Sequence, residues 1–214
     1  MGTALAQWQC RRALAEAAQA AERLLEISTR LAHKGITVPG LLVGGATPAP
    51  WIHFPDCDAV DTVRRYRYYY HVHPRRPQGE HGHFHLFRHT GRRERPATHL
   101  IGIAVDPYGL PLRVFTTNRW VTDEYLLPAA KVLRYLRRFR MDRPRRLQLV
   151  HDWLRALITV FGPTIVEVLR ARDARIGAAR PTLLEDRRIE ILSASRISLT
   201  RQIAMIERLI KRRI

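Results

Sequence analysis

The sequence predicts an α+β fold: a central antiparallel sheet of about four strands, flanked by an N-terminal helix and a C-terminal helical region. Three observations carry this expectation. Apolar residues recur with helical period before residue 34 and after residue 122. The stretch between them changes to short runs rich in aromatic and β-branched residues, and turn chemistry separates those runs closely enough for consecutive strands to pair antiparallel. With 214 residues, 46% apolar and 26% charged, the chain can bury one substantial core.

Residues 1–34 read as an N-terminal amphipathic helix. Leu5, Trp8, Leu14, Leu24, Leu25, Ile27 and Leu31 recur in an Ala/Glu/Arg-rich stretch that breaks at Gly35. Residues 35–122 read as a loop followed by a histidine-rich sheet core. The loop, residues 35–59, runs through Gly40, Gly44, Gly45, Pro48, Pro50 and Pro55, with Trp51 and Phe54 as anchors. Strands are expected at 66–73, 82–89, 99–105 and 111–117, with turns at 74–79, 91–96 and 106–109. The last of these, Asp106-Pro107-Tyr108-Gly109, is the strongest hairpin signal. Residues 123–214 read as basic helices at 123–140, 145–161, 164–174 and 182–211. In the last, Ile189, Leu192, Leu199, Ile203, Ile206 and Ile210 form nearly a heptad seam, suited to packing on the chain's own core or to a homodimer.

The formal charge of +18 points towards a polyanion such as nucleic acid. Only three of the 37 basic residues are lysines, Lys34, Lys131 and Lys211, a bias that GC-rich coding alone would also produce. The excess is concentrated after residue 131, and the segment holding Arg134, Arg137, Arg138, Arg140, Arg143, Arg145 and Arg146 is the expected contact. No segment reaches the roughly 18 apolar residues of a membrane span, and Arg11, Arg12, Glu16 and Glu22 interrupt any secretory core, so a cytoplasmic protein is expected. Cys10 and Cys57 lack the number and spacing of a disulfide framework and are expected to be reduced. Dinucleotide, P-loop, serine-hydrolase and zincin motifs are absent from the sequence.

Seven of the ten histidines, at 71, 73, 81, 83, 85, 89 and 99, fall in one stretch. Residues two apart on a strand share a face, so His81, His83 and His85 are expected to project together while Phe84 turns into an apolar layer. His71 and His73 repeat the spacing on the strand before, and His99 begins the strand after. Imidazoles from neighbouring strands suit a divalent transition metal, zinc or manganese, with an open position for an activated water. Glu80 fits as a ligand or as the carboxylate that orients one. A metal-free polar pocket and a structural cluster are the alternatives.

His83-Phe84-His85, and again His71-Val72-His73, resemble the His-hydrophobic-His element of HUH endonucleases, which nick single-stranded DNA. The resemblance implies metal ligands at His83 and His85 with Glu80 as a third, and a helix tyrosine, Tyr125 or Tyr135, as the nucleophile. It covers about six residues, and the lysine that follows the tyrosine by three in replication initiators is replaced by Pro128 or Arg138. Glu80-His81-Gly82-His83-Phe84-His85 together with Thr116-Thr117-Asn118-Arg119-Trp120-Val121-Thr122 also resembles a family of uncharacterised bacterial proteins, over about half of the chain. That likeness draws attention to Asn118 and to Arg119 as a clamp for phosphate or carboxylate. Asp123 and Glu124 are acid–base candidates, with Thr122 through Glu124 suiting a helix N-terminus instead. Two functions follow: a metal-binding protein whose enzymatic form is a metal-dependent phosphodiester hydrolase or transferase acting on nucleic acid, or a non-enzymatic basic binding module for nucleic acid or an acidic protein partner, with the histidines structural.

Overall fold

The computed structural model describes residues 10–46, 48–74, 77, 79–89, 96–178 and 181–212. Its centre is a six-stranded antiparallel sheet in the simple order β1 to β6: β1 Phe54–Asp61, β2 Tyr66–His71, β3 Gly82–Arg88, β4 Thr98–Val105, β5 Pro111–Thr117 and β6 Ile191–Arg196. The helices are α1 Arg11–Ala32, α2 Val38–Val43, α3 Arg119–Thr122, α4 Ala129–Arg137, α5 Gln148–Val160, α6 Gly162–Ala178 and α7 Leu199–Lys211. The expected α+β architecture holds, with six strands in place of four.

Strand alternation divides the sheet into two faces of different chemistry. Tyr66, Tyr68 and Tyr70 of β2, Phe84 and Leu86 of β3, Ile101, Ile103 and Val105 of β4 and Val114 of β5 share one core with the helices. That core also takes Leu14, Leu24 and Ile27 of α1 and Trp153, Leu154 and Leu157 of α5. The opposite face carries His71, His83, His85, Phe87, Arg113 and Phe115. Phe115 lies edge-on to both His83 and His85, at ring-centre distances of 5.2 and 5.7 Å.

The Asp106 turn forms as its residues require. Asp106 Oδ1 accepts from the amides of Tyr108 and Leu110, and Gly109 takes φ +84°, a region that a side chain would strain. The expected start of α1 at residues 4–9, including Leu5 and Trp8, and most of the 91–96 turn lie outside the described residues, as do Arg75, Arg76 and Gln78 of the 74–79 turn.

Two expectations need correction. The 35–59 loop contains α2 and the start of edge strand β1, whose pairing with β2 shifts register between Phe54 and Ala59 and so obscures its alternation. The single helix expected at 182–211 is a 3-10 turn at Pro181–Glu185, the strand β6 and α7. Ile191, Ser193 and Ala194 pair with β5, Leu192 sits at the register shift between the first two, and the Ser193 hydroxyl bonds Thr116 Oγ1 across the strands at 2.6 Å. Leu192 therefore serves a sheet and not a helical seam. Ile206 of α7 enters the chain's own core and Ile203 and Ile210 pack against it, the arrangement expected ahead of a homodimer.

Gly102, at the centre of the histidine face, makes room for the Phe115 ring. A Cβ at residue 102 would stand 2.4 Å from Phe115 Cζ. Gly102→Ala is therefore expected to destabilise the fold by about 1–3 kcal/mol through overpacking. Urea denaturation reads this, and adding Phe115→Leu should recover most of the loss.

Candidate metal centre

The site is built from a cross-strand row. His71 pairs with His83, His83 with Ala104, and Ala104 with Arg113, so residues of four neighbouring strands line up on one face. β2 ends at His71, yet the chain stays extended through Val72, which bridges Pro50, and this returns His73 to the same face. His83 Nε2 lies 2.8 Å from His71 Nε2 and 3.3 Å from His73 Nε2. The three nitrogens form a group able to hold a metal ion. Tetrahedral zinc with bonds of about 2.0–2.1 Å has nitrogen–nitrogen edges of about 3.3 Å. The His73–His83 edge already matches that value, and the His71–His83 edge needs to open by only a few tenths of an ångström.

Glu80 sets the polarity of the group. Its buried carboxylate takes His83 Nδ1 at 2.8 Å, so His83 carries its proton on Nδ1 and turns the Nε2 lone pair towards His71 and His73. One lone pair accepts only one hydrogen bond, yet two imidazole nitrogens face it. The other carboxylate oxygen accepts from the Arg113 guanidinium at 3.2 Å, and that guanidinium lies 4.7 Å over the Phe115 ring. Burial alone would raise the Glu80 pKa, but the hydrogen bond from His83 and the charge and hydrogen bond of Arg113 hold it below its ordinary value. Burial and the neighbouring His83 push His71 down to about 2 and lower His73, so both are neutral bases at physiological pH.

The structure places the other expected residues in different settings. His85 Nδ1 meets His99 Nε2 at 3.0 Å, and His99 Nδ1 meets Thr117 Oγ1 at 3.2 Å, a buried row beside the three-histidine group. Burial holds His85 well below its usual range and His99 down to about 3. His81 does not join His83 and His85. It precedes β3, stacks on Tyr70 and accepts the Tyr70 hydroxyl at 2.5 Å, and Gly82 permits that approach because a Cβ there would collide with Tyr70.

Neither tyrosine is level with the His71–His83 pair. Tyr135 lies on α4 in the helical layer, where its carbonyl accepts from Tyr66. Tyr125 pairs its backbone with Ala97 and Thr98, at the end of β4 far from the Gly82–Val105 pair. The amide of Asn118 bonds the carbonyls of Leu183 and Ile189, and its oxygen caps α3 through the Arg119 amide; Arg119 itself pairs with Glu185. The helix expected from residue 123 with its cap at Thr122 begins instead at Ala129 behind Pro128, while Thr122 ends the short α3, which Asp123 closes with φ +45°.

The sequence singles out neither Arg113, Phe115 nor His53, and the expectation for Trp51 is an anchor of the 35–59 loop, a role that the structure leaves to the buried Phe54. The alternation Arg113, Phe115, Thr117 puts the first two on one face of β5, but their use depends on the β3–β4–β5 register. Trp51, 63% exposed, presents its ring edge-on to His73 at 4.4 Å, and His53 stacks on Tyr69 at 3.7 Å while bonding Asp58. No local sequence signal marks either.

Glu124 is buried and, among the described residues, its Oε2 accepts the His99 amide hydrogen. Burial raises its pKa to about 8, against the opposing pull of Arg172 and of that amide. A carboxyl whose folded pKa lies above its unfolded value stabilises the fold fully below the unfolded value near 4.5, and that stability drains away as pH rises to about 8. Glu124→Gln is therefore expected to leave stability unchanged near pH 4 and to add a few kcal/mol by pH 9. Thermal melts across pH read this, and parallel curves for the two proteins would contradict it.

Among the described residues no helix is long and apolar enough to cross a membrane, and Cys10 and Cys57 are free and exposed. No curated protein and no solved structure matches the chain. A family model matches residues 18–197, spanning every strand of the sheet and all of the histidines discussed above. The chain belongs to the family described as Domain of unknown function (DUF6969).

Proposed function

We propose that this chain is a metal-binding protein with a single divalent metal held by His71, His73 and His83, and that the metal activates water for hydrolysis or group transfer. The carrying observation is that one ring nitrogen from each of the three histidines lies within 4.8 Å of the others, with the Glu80 carboxylate on His83 Nδ1. Three imidazole donors suit zinc better than manganese, which favours carboxylate and water oxygens. Three protein ligands leave a fourth position for water, whose pKa a zinc ion lowers to about 7. His73 is half-buried beside the exposed Trp51, which gives that position an approach from solvent.

The nuclease form of this reading has weaker support than the metal centre. Tyr135 on α4 and Tyr125 beside Thr98 are both remote in register from the His71–His83 pair, and Arg113 is engaged by Glu80. The reading therefore rests on metal-activated water and not on a tyrosine nucleophile.

Plasma mass spectrometry on untagged protein prepared without chelator tests it. About one equivalent of zinc is expected in the wild type and none in a folded His71→Ala/His83→Ala variant. A folded wild type free of transition metal, or full retention by the double variant, would contradict the reading. Glu80→Gln removes the charge but keeps the shape, and is expected to weaken metal affinity about 10–100-fold. Competition with a chromophoric chelator measures that loss.

A further inference from the structure

The arginines are not scattered evenly over the molecule. Asp61, at the end of β1, is buried, and its carboxylate takes three backbone amides: Arg64 through Oδ1, Asp142 and Arg143 through Oδ2. This joins the β1–β2 turn to the segment between α4 and α5, two stretches about eighty residues apart. Arg64 then reaches across to Asp142, which also holds Arg140. Arg88, at the end of β3, lies over Tyr66 at 4.5 Å and Tyr135 at 5.2 Å, and donates to the Arg64 carbonyl. Arg64, Arg65, Arg140, Arg143 and Arg145 are exposed on the two stretches joined here, Arg88 lies half-buried at the adjoining end of β3, and Asp142 engages the guanidinium groups of Arg64 and Arg140.

The register fixes where this junction lies. Tyr66 pairs with Arg88 at one end of β2 and β3, and His71 with His83 at the other. Five residues of strand separate the two pairs, about 17 Å. The arginines and the histidine centre are therefore different places on the molecule.

We propose that this junction is a binding surface for the phosphate backbone of a nucleic acid, independent of the metal reading. Guanidinium groups match phosphate oxygens with paired hydrogen bonds, and a cluster fixed by a buried carboxylate loses less freedom on binding than free side chains do. A membrane surface fits less well. The apolar residues of α4, Ala129, Val132 and Leu136, are buried in the core, so that helix has no greasy face to set into an acyl layer.

Fluorescence anisotropy with a labelled single-stranded DNA oligonucleotide, titrated between about 50 and 200 mM salt, tests the proposal. Arg140→Ala/Arg143→Ala/Arg145→Ala is expected to weaken binding more than about ten-fold and to reduce the salt slope by about two units. The corresponding triple lysine variant should bind within a few-fold of wild type, which separates lost charge from lost fold. Two controls should stay near wild type: His71→Ala/His83→Ala, and Arg201→Ala/Arg208→Ala/Arg212→Ala. The latter removes equal charge from α7, which docks through Gln202 at the C-terminal end of the 13-residue α5, about 20 Å from Arg145. The proposal is overturned by absence of salt-dependent binding, by an equal loss in the α7 variant, or by binding to anionic phospholipid vesicles without binding to the oligonucleotide.

Discussion

The pairing of His71 with His83 is the constraint on which the rest of the molecule's chemistry depends. One face of the sheet is committed to the helices through Tyr68, Tyr70, Phe84, Leu86, Ile101 and Ile103. That commitment leaves every second residue on the other side, and it forbids a slip of register, because a shift by one residue would drive histidines into the apolar core and phenylalanines out of it. The hydrophobic core thus positions the candidate site without touching it. Small residues complete the arrangement. Ala104 sits between His83 and Arg113 in the row, and Gly102 accommodates Phe115, whose ring props both His83 and His85.

Within that frame the electrostatics follow from burial. Taking imidazoles out of water disfavours their charged forms, which keeps His71, His73, His85 and His99 neutral at physiological pH, each with one ring nitrogen able to act as an acceptor. Glu80 is the counterweight. A buried carboxylate needs partners, and it finds them in His83 on one oxygen and Arg113 on the other. The chain Arg113 to Glu80 to His83 assigns one tautomer to one histidine, which turns a buried polar cluster into a directed set of donor atoms. The second buried row, His85 to His99 to Thr117, has no carboxylate on its ring nitrogens and stays a line of neutral hydrogen bonds.

The middle of the fold was legible because strands β2 to β5 are local, consecutive and marked by turn residues. Pro111–Thr117 matches the expected strand residue for residue, and the other three agree within two residues at either end. Strands β1 and β6 escaped because their strand character comes from partners. β1 is interrupted by a register shift, and the residues of β6 carry an apolar spacing that fits a helix until β5 is there to pair with them. The site was legible in composition but not in membership. His71, His73 and His83 stood among the expected ligands, yet alternation also recruited His81, which lies just before β3 and turns to Tyr70. His99 shows the opposite effect. Strict alternation would put it with Ile101 on the helical face, but the shift between Leu86 and Phe87 skips Leu100 and pairs His99 with Phe87 among the histidines. The roles of Glu80 and Arg113 depend on distances between strands that no spacing along the chain reveals.

The most direct measurement is an anomalous difference map from crystals of protein prepared without chelator, recorded at the absorption edge of the metal it carries. One peak about 2.0–2.2 Å from the Nε2 atoms of His71, His73 and His83, with Glu80 on His83 Nδ1, is the predicted result. A peak lying between His85 and His99, or ordered hydrogen bonds among the three Nε2 atoms with no peak at all, would contradict the account.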